Sequence, residues 1–179
     1  MTEVAKTYGD ALYDLAAEEK IAAELLEEVA SLSAAFNENP DFMKLLSTPA
    51  LRKDQRLAVL DDSFGGKVHA HVLNFMKILV ENGTIAEFSG CADEFRQRYN
   101  KDNNIEEVCA VTAIPLNEEL AAKLKAKLEG MTGKTVILSN KVDPSVLGGV
   151  RLEMQGTQLE GSVQNNLETL RRSLLGSTL

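Results

Sequence analysis

The chain has 179 residues, 44% of them hydrophobic, with no Trp and a net charge of −8. That length holds one ordinary domain or two small ones, and the apolar fraction is enough for a packed core rather than wholesale disorder. Residues 1–105 carry 18 acidic against 11 basic side chains and residues 106–179 carry 9 against 8, so the first half is the acidic one, and a phosphate-neutralising surface for nucleic acid or anionic lipid is excluded.

From residue 3 to about 100 the period is helical. Val4, Tyr8, Ala11, Leu12 and Leu15 fall at helical spacing, followed by Ile21, Leu25, Val29, Leu32 and Phe36. Pro40 bars continuation of that second helix. A short helix is expected around Phe42–Leu46, then a segment carrying Leu57 and Leu60 that FGGK (64–67) breaks. The next helix is expected from about Val68 to Asn82, with Gly83 as its stop. A last one carries Ile85, Phe88, Phe95 and Tyr99. These six helices with short connections predict a compact helical bundle.

YNKDNN (99–104) is the polar stretch where the pattern changes, and the domain boundary is placed there: 1–104 helical, 105–179 a small α+β unit. IEEVCAVTAI has the β-branched content of a strand. LNEELAAKLKAKLEGMTG reads as an amphipathic helix with Asn117 as N-cap and Gly130 near its stop. KTVILS, GVRLEM and TQLEG read as three more short strands. Ser162 then opens a final helix with Val163, Leu167, Leu170 and Leu174 on one stripe. The fold class expected is mostly α, a helical bundle followed by a small mixed sheet that ends in a helix.

Several chemical readings are weak. A phosphate loop needs a strand-to-helix turn followed by Lys-Ser/Thr. Gly148-Gly149 instead lead into an alternating strand, and FGGK is followed by Val68 and His69. A tight turn, a bulge or close packing suits both glycine pairs better, although a small phosphate- or nucleotide-binding enzyme remains the alternative. His69 and His71, read as helical, point about 200° apart and hold no metal together. Cys91 and Cys109 have no ligand spacing and read as buried thiols in a reducing compartment. No apolar run approaches the roughly 18 residues that span a bilayer, and the acidic start lacks a signal core. No catalytic set and no cofactor or metal site emerges.

Two helices are unusual. The 68–82 helix is apolar over about 220° of its wheel, where one packed face needs little more than ~100°. The first helix has small residues at Ala5, Gly9, Ala11 and Ala16 along its apolar side, and Gly9 costs up to ~1 kcal/mol relative to alanine. Both are either central helices or the walls of a groove for a partner helix.

VDPSVLGGVRLEMQGTQLEGSVQNNLETLRRSL (142–174) resembles the C-terminal signature of the delta subunit of F-type ATP synthases, the family of the mitochondrial oligomycin-sensitivity-conferring protein. YGDALYDLA (8–16) and LVENGTI (79–85) resemble that family's N-terminal segments, so the likeness covers essentially the whole chain. Gly9 stands for the usual alanine, Thr84 where arginine is frequent, and Glu160 for the aspartate before Gly161-Ser162. The resemblance implies a non-catalytic stator subunit without cofactor. Its N-terminal bundle would hold N-terminal helices of alpha subunits between its first and fifth helices, and its C-terminal domain would join b-type stalk subunits. It would be present in one copy, at the cytoplasmic face of the bacterial membrane without inserting into it. Carried over by position, Tyr8, Ala11, Leu15, Phe75, Ile78 and Leu79 would accept the alpha-subunit helix. Gly148, Gly149, Gly161 and Ser162 would shape turns, with Ser162 capping the final helix.

Overall fold

A computed structural model describes residues 2–146, 149–154 and 157–162, the last stretch by its backbone. The chain is mostly helical with a small mixed sheet, and it divides into two compact units, Met1–Tyr99 and Asn100–Leu179.

The first unit contains α1 (Glu3–Glu18), α2 (Ala22–Glu38), α3 (Pro40–Ser47), α4 (Lys53–Phe64) and α5 (Ala70–Glu81), then a 3₁₀ turn (Ile85–Glu87) and α6 (Phe88–Asp102). Identifiable chemistry sets several of these ends. Thr2 Oγ1 accepts the Ala5 N–H to start α1, and Pro40 takes the first position of α3, where its missing N–H costs nothing. Arg56 Nη1 donates to the Leu46 carbonyl at 3.1 Å and so closes the end of α3. Gly66 and Gly83, at φ 70° and 69°, follow α4 and α5 in the left-handed region that only glycine enters freely.

Two expected boundaries move. α5 begins at Ala70 instead of Val68, because His69 is its N-cap and accepts the His71 N–H on Nδ1 at 3.3 Å. Ile85 lies in the 3₁₀ turn rather than in the last helix.

The core of this unit is aliphatic around one aromatic cluster. Phe36 meets the Phe88 ring at 5.0 Å and the Phe64 and Phe42 rings at 5.9 Å. Gly9 sits where α1 and α6 nearly touch: a Cβ there would lie 2.7 Å from the Cys91 carbonyl oxygen and 2.7 Å from Glu94 Cβ. On α6, a Cβ on Gly90 would meet Ala5 Cβ at 2.9 Å. The small residues Ala5, Gly9 and Ala16, all buried, therefore let α1 pack inward instead of edging an outer groove. Gly9→Ala gains at most ~1 kcal/mol of helix propensity against an overpacking cost of about 1–3 kcal/mol. The expected result is net destabilisation of about 1 kcal/mol, read from urea unfolding; a gain in stability would contradict the close approach.

In the second unit β1 (Ile105–Thr112) is followed by α7 (Glu118–Thr132), β2 (Thr135–Val142), β3 (Gly149–Met154) and β4 (Thr157–Ser162). The sheet order is β2-β1-β3-β4; β1 pairs parallel to β2 through the α7 crossover and antiparallel to β3. Asn117 Oδ1 accepts the Leu120 N–H at 2.8 Å and caps α7 as expected. The helix stops at Gly133, φ 68°, and not at Gly130, which stays inside it. The polar stretch 99–104 is helical to Asp102.

The signature turn is built by Asp143, whose Oδ1 accepts the Ser145 N–H at 2.9 Å; hydrogen bonding from Ser145, first from its side chain and then from its backbone N–H, holds the Asp143 carboxyl below the usual carboxylate range. Gly149 opens β3 at φ 86°, a conformation a side chain would strain. Gly161 and Ser162 end β4, opposite Val150 and Gly149. Gly148 and the expected final helix lie outside the described residues, and Ser162, its expected cap, is described only as the last backbone position of β4.

Candidate functional site: the outer face of α1 and α5

Val4, Tyr8, Ala11 and Leu15 follow one another at i, i+4, i+7 and i+11, so they form a single stripe along α1. Val4 and Leu15 remain 37% and 38% exposed, Ala11 is exposed and Tyr8 half-buried. Ile78 of α5 is 44% exposed.

Two side-chain bridges tie the helices. Asn82 Nδ2 donates to Tyr8 Oη at 2.9 Å, and His71 Nε2 meets Glu19 Oε2 at 2.9 Å. The start of α1 thus faces the end of α5 and the end of α1 faces its start, which makes the pair antiparallel. Charge flanks the stripe without crossing it. Lys77 pairs with Asp61 at 2.6 Å and Lys53 with Glu81 at 3.4 Å, while Arg98 holds Asp10 at 2.9 Å and Asp14 at 3.1 Å.

The six site residues expected from sequence separate into two sets. Tyr8, Ala11, Leu15 and Ile78 share the outer face. Phe75 at 6% and Leu79 at 0% exposure belong to the core. Most of the apolar excess of α5 goes the same way, since Val72, Met76 and Val80 are fully buried, Leu73 is half-buried and Ile78 is the large apolar side chain left exposed. α5 is therefore chiefly a central helix. Val4 extends the stripe one turn and was visible in the same periodicity. Asn82, His71 and Glu19 carried no sequence signal, because their pairing depends on which helices become neighbours.

The FGGK segment does not form a phosphate loop. FGGK ends a helix: the Gly65 N–H donates to the Asp61 carbonyl, and Lys67 Nζ is bonded to the Ser63 carbonyl at 2.9 Å. The histidines also need a correction. Their rings lie 5.0 Å apart, not on opposite sides of a helix, because His69 is a cap and not a helical residue. Among the described residues no group of three or more metal-ligating side chains occurs.

Cys91 is buried while Cys109 is only half-buried, against the expectation of two buried thiols. Burial, reinforced by Glu87, pushes the Cys91 thiol from 9.0 up to about 11. The folded thiol therefore stays neutral where the unfolded one ionises, so its contribution is intact below pH 9.0 and is lost as pH rises through about 11. Cys91→Ala is expected to lose less stability than the parent between those limits in paired urea titrations; parallel curves would contradict this.

The sequence profile of the ATP synthase delta (OSCP) subunit family matches residues 4–174. The chain belongs to that family. It is 30% identical over 171 residues to ATP synthase subunit delta of Alkaliphilus oremlandii, covering 96% of this chain and 95% of that one. It is 33% identical over 174 residues to the subunit of the same name from Lactobacillus gasseri, covering 97% and 95%. A chain of the Toxoplasma gondii mitochondrial ATP synthase hexamer shares the fold, with TM-score 0.77, 23% identity and coverage of 97% and 98%. The protein is a delta subunit of F-type ATP synthase, a structural, non-catalytic part of the peripheral stalk that links it to the rest of the complex. Among the described residues no helix is long and apolar enough to cross a membrane.

Proposed function

We propose that α1–α6 work as one six-helix bundle that seats an N-terminal helix of an alpha subunit of the catalytic head on the α1/α5 face. The continuous apolar stripe of Val4, Tyr8, Ala11 and Leu15 with Ile78 beside it carries this reading. Covering Val4, Leu15 and Ile78 completely would contribute on the order of 1 kcal/mol each, since less than half of each is left to bury. Tyr8 supplies a rim in which Asn82 fixes the hydroxyl and leaves the ring as apolar wall. Phe75 and Leu79 stiffen this face from beneath.

The second unit is the attachment for b-type stalk subunits. Its large exposed apolar side chains support that role: Ile114 at 74%, Met131 at 72%, Leu120 at 52% and Ile137 at 51%. Holding head and stalk together keeps the head from turning with the rotor, so ion flow stays coupled to ATP synthesis. One copy per complex acts at the cytoplasmic face of a bacterial membrane, without entering it.

Reconstitution tests the role. Cognate membranes and catalytic heads stripped of their own delta subunit should regain coupled ATP synthesis when this chain is added. Membranes that stay uncoupled despite a folded chain would overturn the linking function.

A further inference from the structure

Asn82 is the one asparagine in the sequence that precedes a glycine. It is the C-cap of α5, and both Asn82 and Gly83 are exposed. Gly83 stands at φ 69°, and the space where its Cβ would lie is empty to 4 Å. Its amide nitrogen therefore has no side chain to shield it.

Few bonds close this end of the helix. The Gly83 N–H donates to the Val80 carbonyl at 3.2 Å, at the long end for such a bond, and the Thr84 N–H donates to the Leu79 carbonyl at 2.8 Å. A surface turn of this kind frays, and fraying releases the Gly83 amide. Among the described residues the Asn82 side chain has one tie, from Nδ2 to Tyr8 Oη at 2.9 Å. That tie must break before the side chain can swing onto its own backbone.

We propose that Asn82 is a site of spontaneous deamidation and that Tyr8 restrains it. The Gly83 nitrogen gives up its proton to water and attacks Asn82 Cγ. A Cγ–N bond forms, the Cγ–Nδ2 bond breaks, and Nδ2 takes a proton from water and leaves as ammonia. Water then opens the five-membered imide at one of its two carbonyls, giving aspartate or isoaspartate. The product alters the end of α5. A carboxylate replaces a donor where the helix dipole is negative and where Glu81 already stands beside it. Isoaspartate also inserts one carbon into the main chain, which displaces the Gly83 and Thr84 N–H groups from their carbonyls. The added charge falls beside Tyr8 on the rim of the α1/α5 face; that consequence rests on the docking reading, whereas the reaction does not.

The test is peptide mass spectrometry of the intact chain aged in mildly alkaline buffer. Conversion at Asn82 should run about tenfold faster than at Asn37, Asn74 or Asn140, whose successors carry side chains. Part of the product should be isoaspartate, labelled by an isoaspartyl methyltransferase, which separates the imide route from direct hydrolysis. Tyr8→Phe should raise the rate about threefold by removing the hydrogen-bond acceptor, and Asn82→Gln should abolish conversion at this position. Asn82→Asp, with the charge of the product, should show faster amide exchange at Gly83 and Thr84. Conversion no faster than at the other asparagines, or to aspartate alone, would overturn the proposal. An unchanged rate in folded Tyr8→Phe would overturn the restraint. The assay needs no catalytic head, so its failure is distinct from failure of the docking reading.

Discussion

Ile78→Asp is expected to weaken binding to the catalytic head at least tenfold, about 1.4 kcal/mol, while leaving the fold unchanged. Ile78 is 44% exposed and lies beside the α1 stripe. Aspartate there costs little in the free chain, where water reaches it. Once a partner helix covers the position, the carboxylate is desolvated against apolar surface without a cation of its own, because Lys77 is already paired with Asp61. Leu15→Asp and Ala11→Asp, on the facing helix, should act in the same direction. Calorimetric titration against heads lacking delta, with circular dichroism to verify folding, gives the readout. Normal affinity in all three folded variants would remove the docking surface from this face.

Leu79→Ala, one residue along, is expected to do the opposite: it should destabilise the helical unit by about 2–5 kcal/mol. Leu79 is completely buried, so truncation leaves a cavity in a closely packed core and forfeits the transfer free energy of the lost atoms. Variants that stay folded at low temperature should bind the head with nearly parental affinity. Urea midpoints measured beside Ile78→Ala, whose change should stay below ~1 kcal/mol, make the contrast direct. Similar losses in the two variants would mean that the inner and outer faces of α5 are wrongly assigned.

That pair shows where the sequence stops being informative. Pro40, Gly83 and Asn117 each act through chemistry that is local in the chain: a missing N–H, a positive φ, a side-chain acceptor. Their roles were legible in advance. Ile78 and Leu79 are neighbours inside an apolar arc wider than one packed face requires, and only the surrounding helices decide which of them is covered. The same limit affected Gly9. Its demand for close approach was readable, but the element approached, α6, was not. Gly130 and Gly133 are equally good stop signals by composition, and the helix ends at the one that reaches φ 68°. His69 was read as helical, and its role as a cap was missed, because a histidine cap is unusual beside Ser, Thr, Asp or Asn. The Asn82–Tyr8 and His71–Glu19 bridges span 74 and 52 residues, a separation that periodicity does not see.

The family likeness and the physical reading meet at the α1 stripe. The resemblance implies a docking face on the first and fifth helices, and the structure leaves an apolar row exposed there while burying most of the remaining apolar surface of α5. The small residues on α1 have a different task, setting the distance to α6.

The most direct test of the linking role is calorimetric titration of the intact chain into the cognate catalytic head stripped of its own delta subunit. The expected result is saturation at one chain per head with a negative heat-capacity change, as burial of an apolar face requires. Absence of binding by the folded chain would contradict its role as the link between head and stalk.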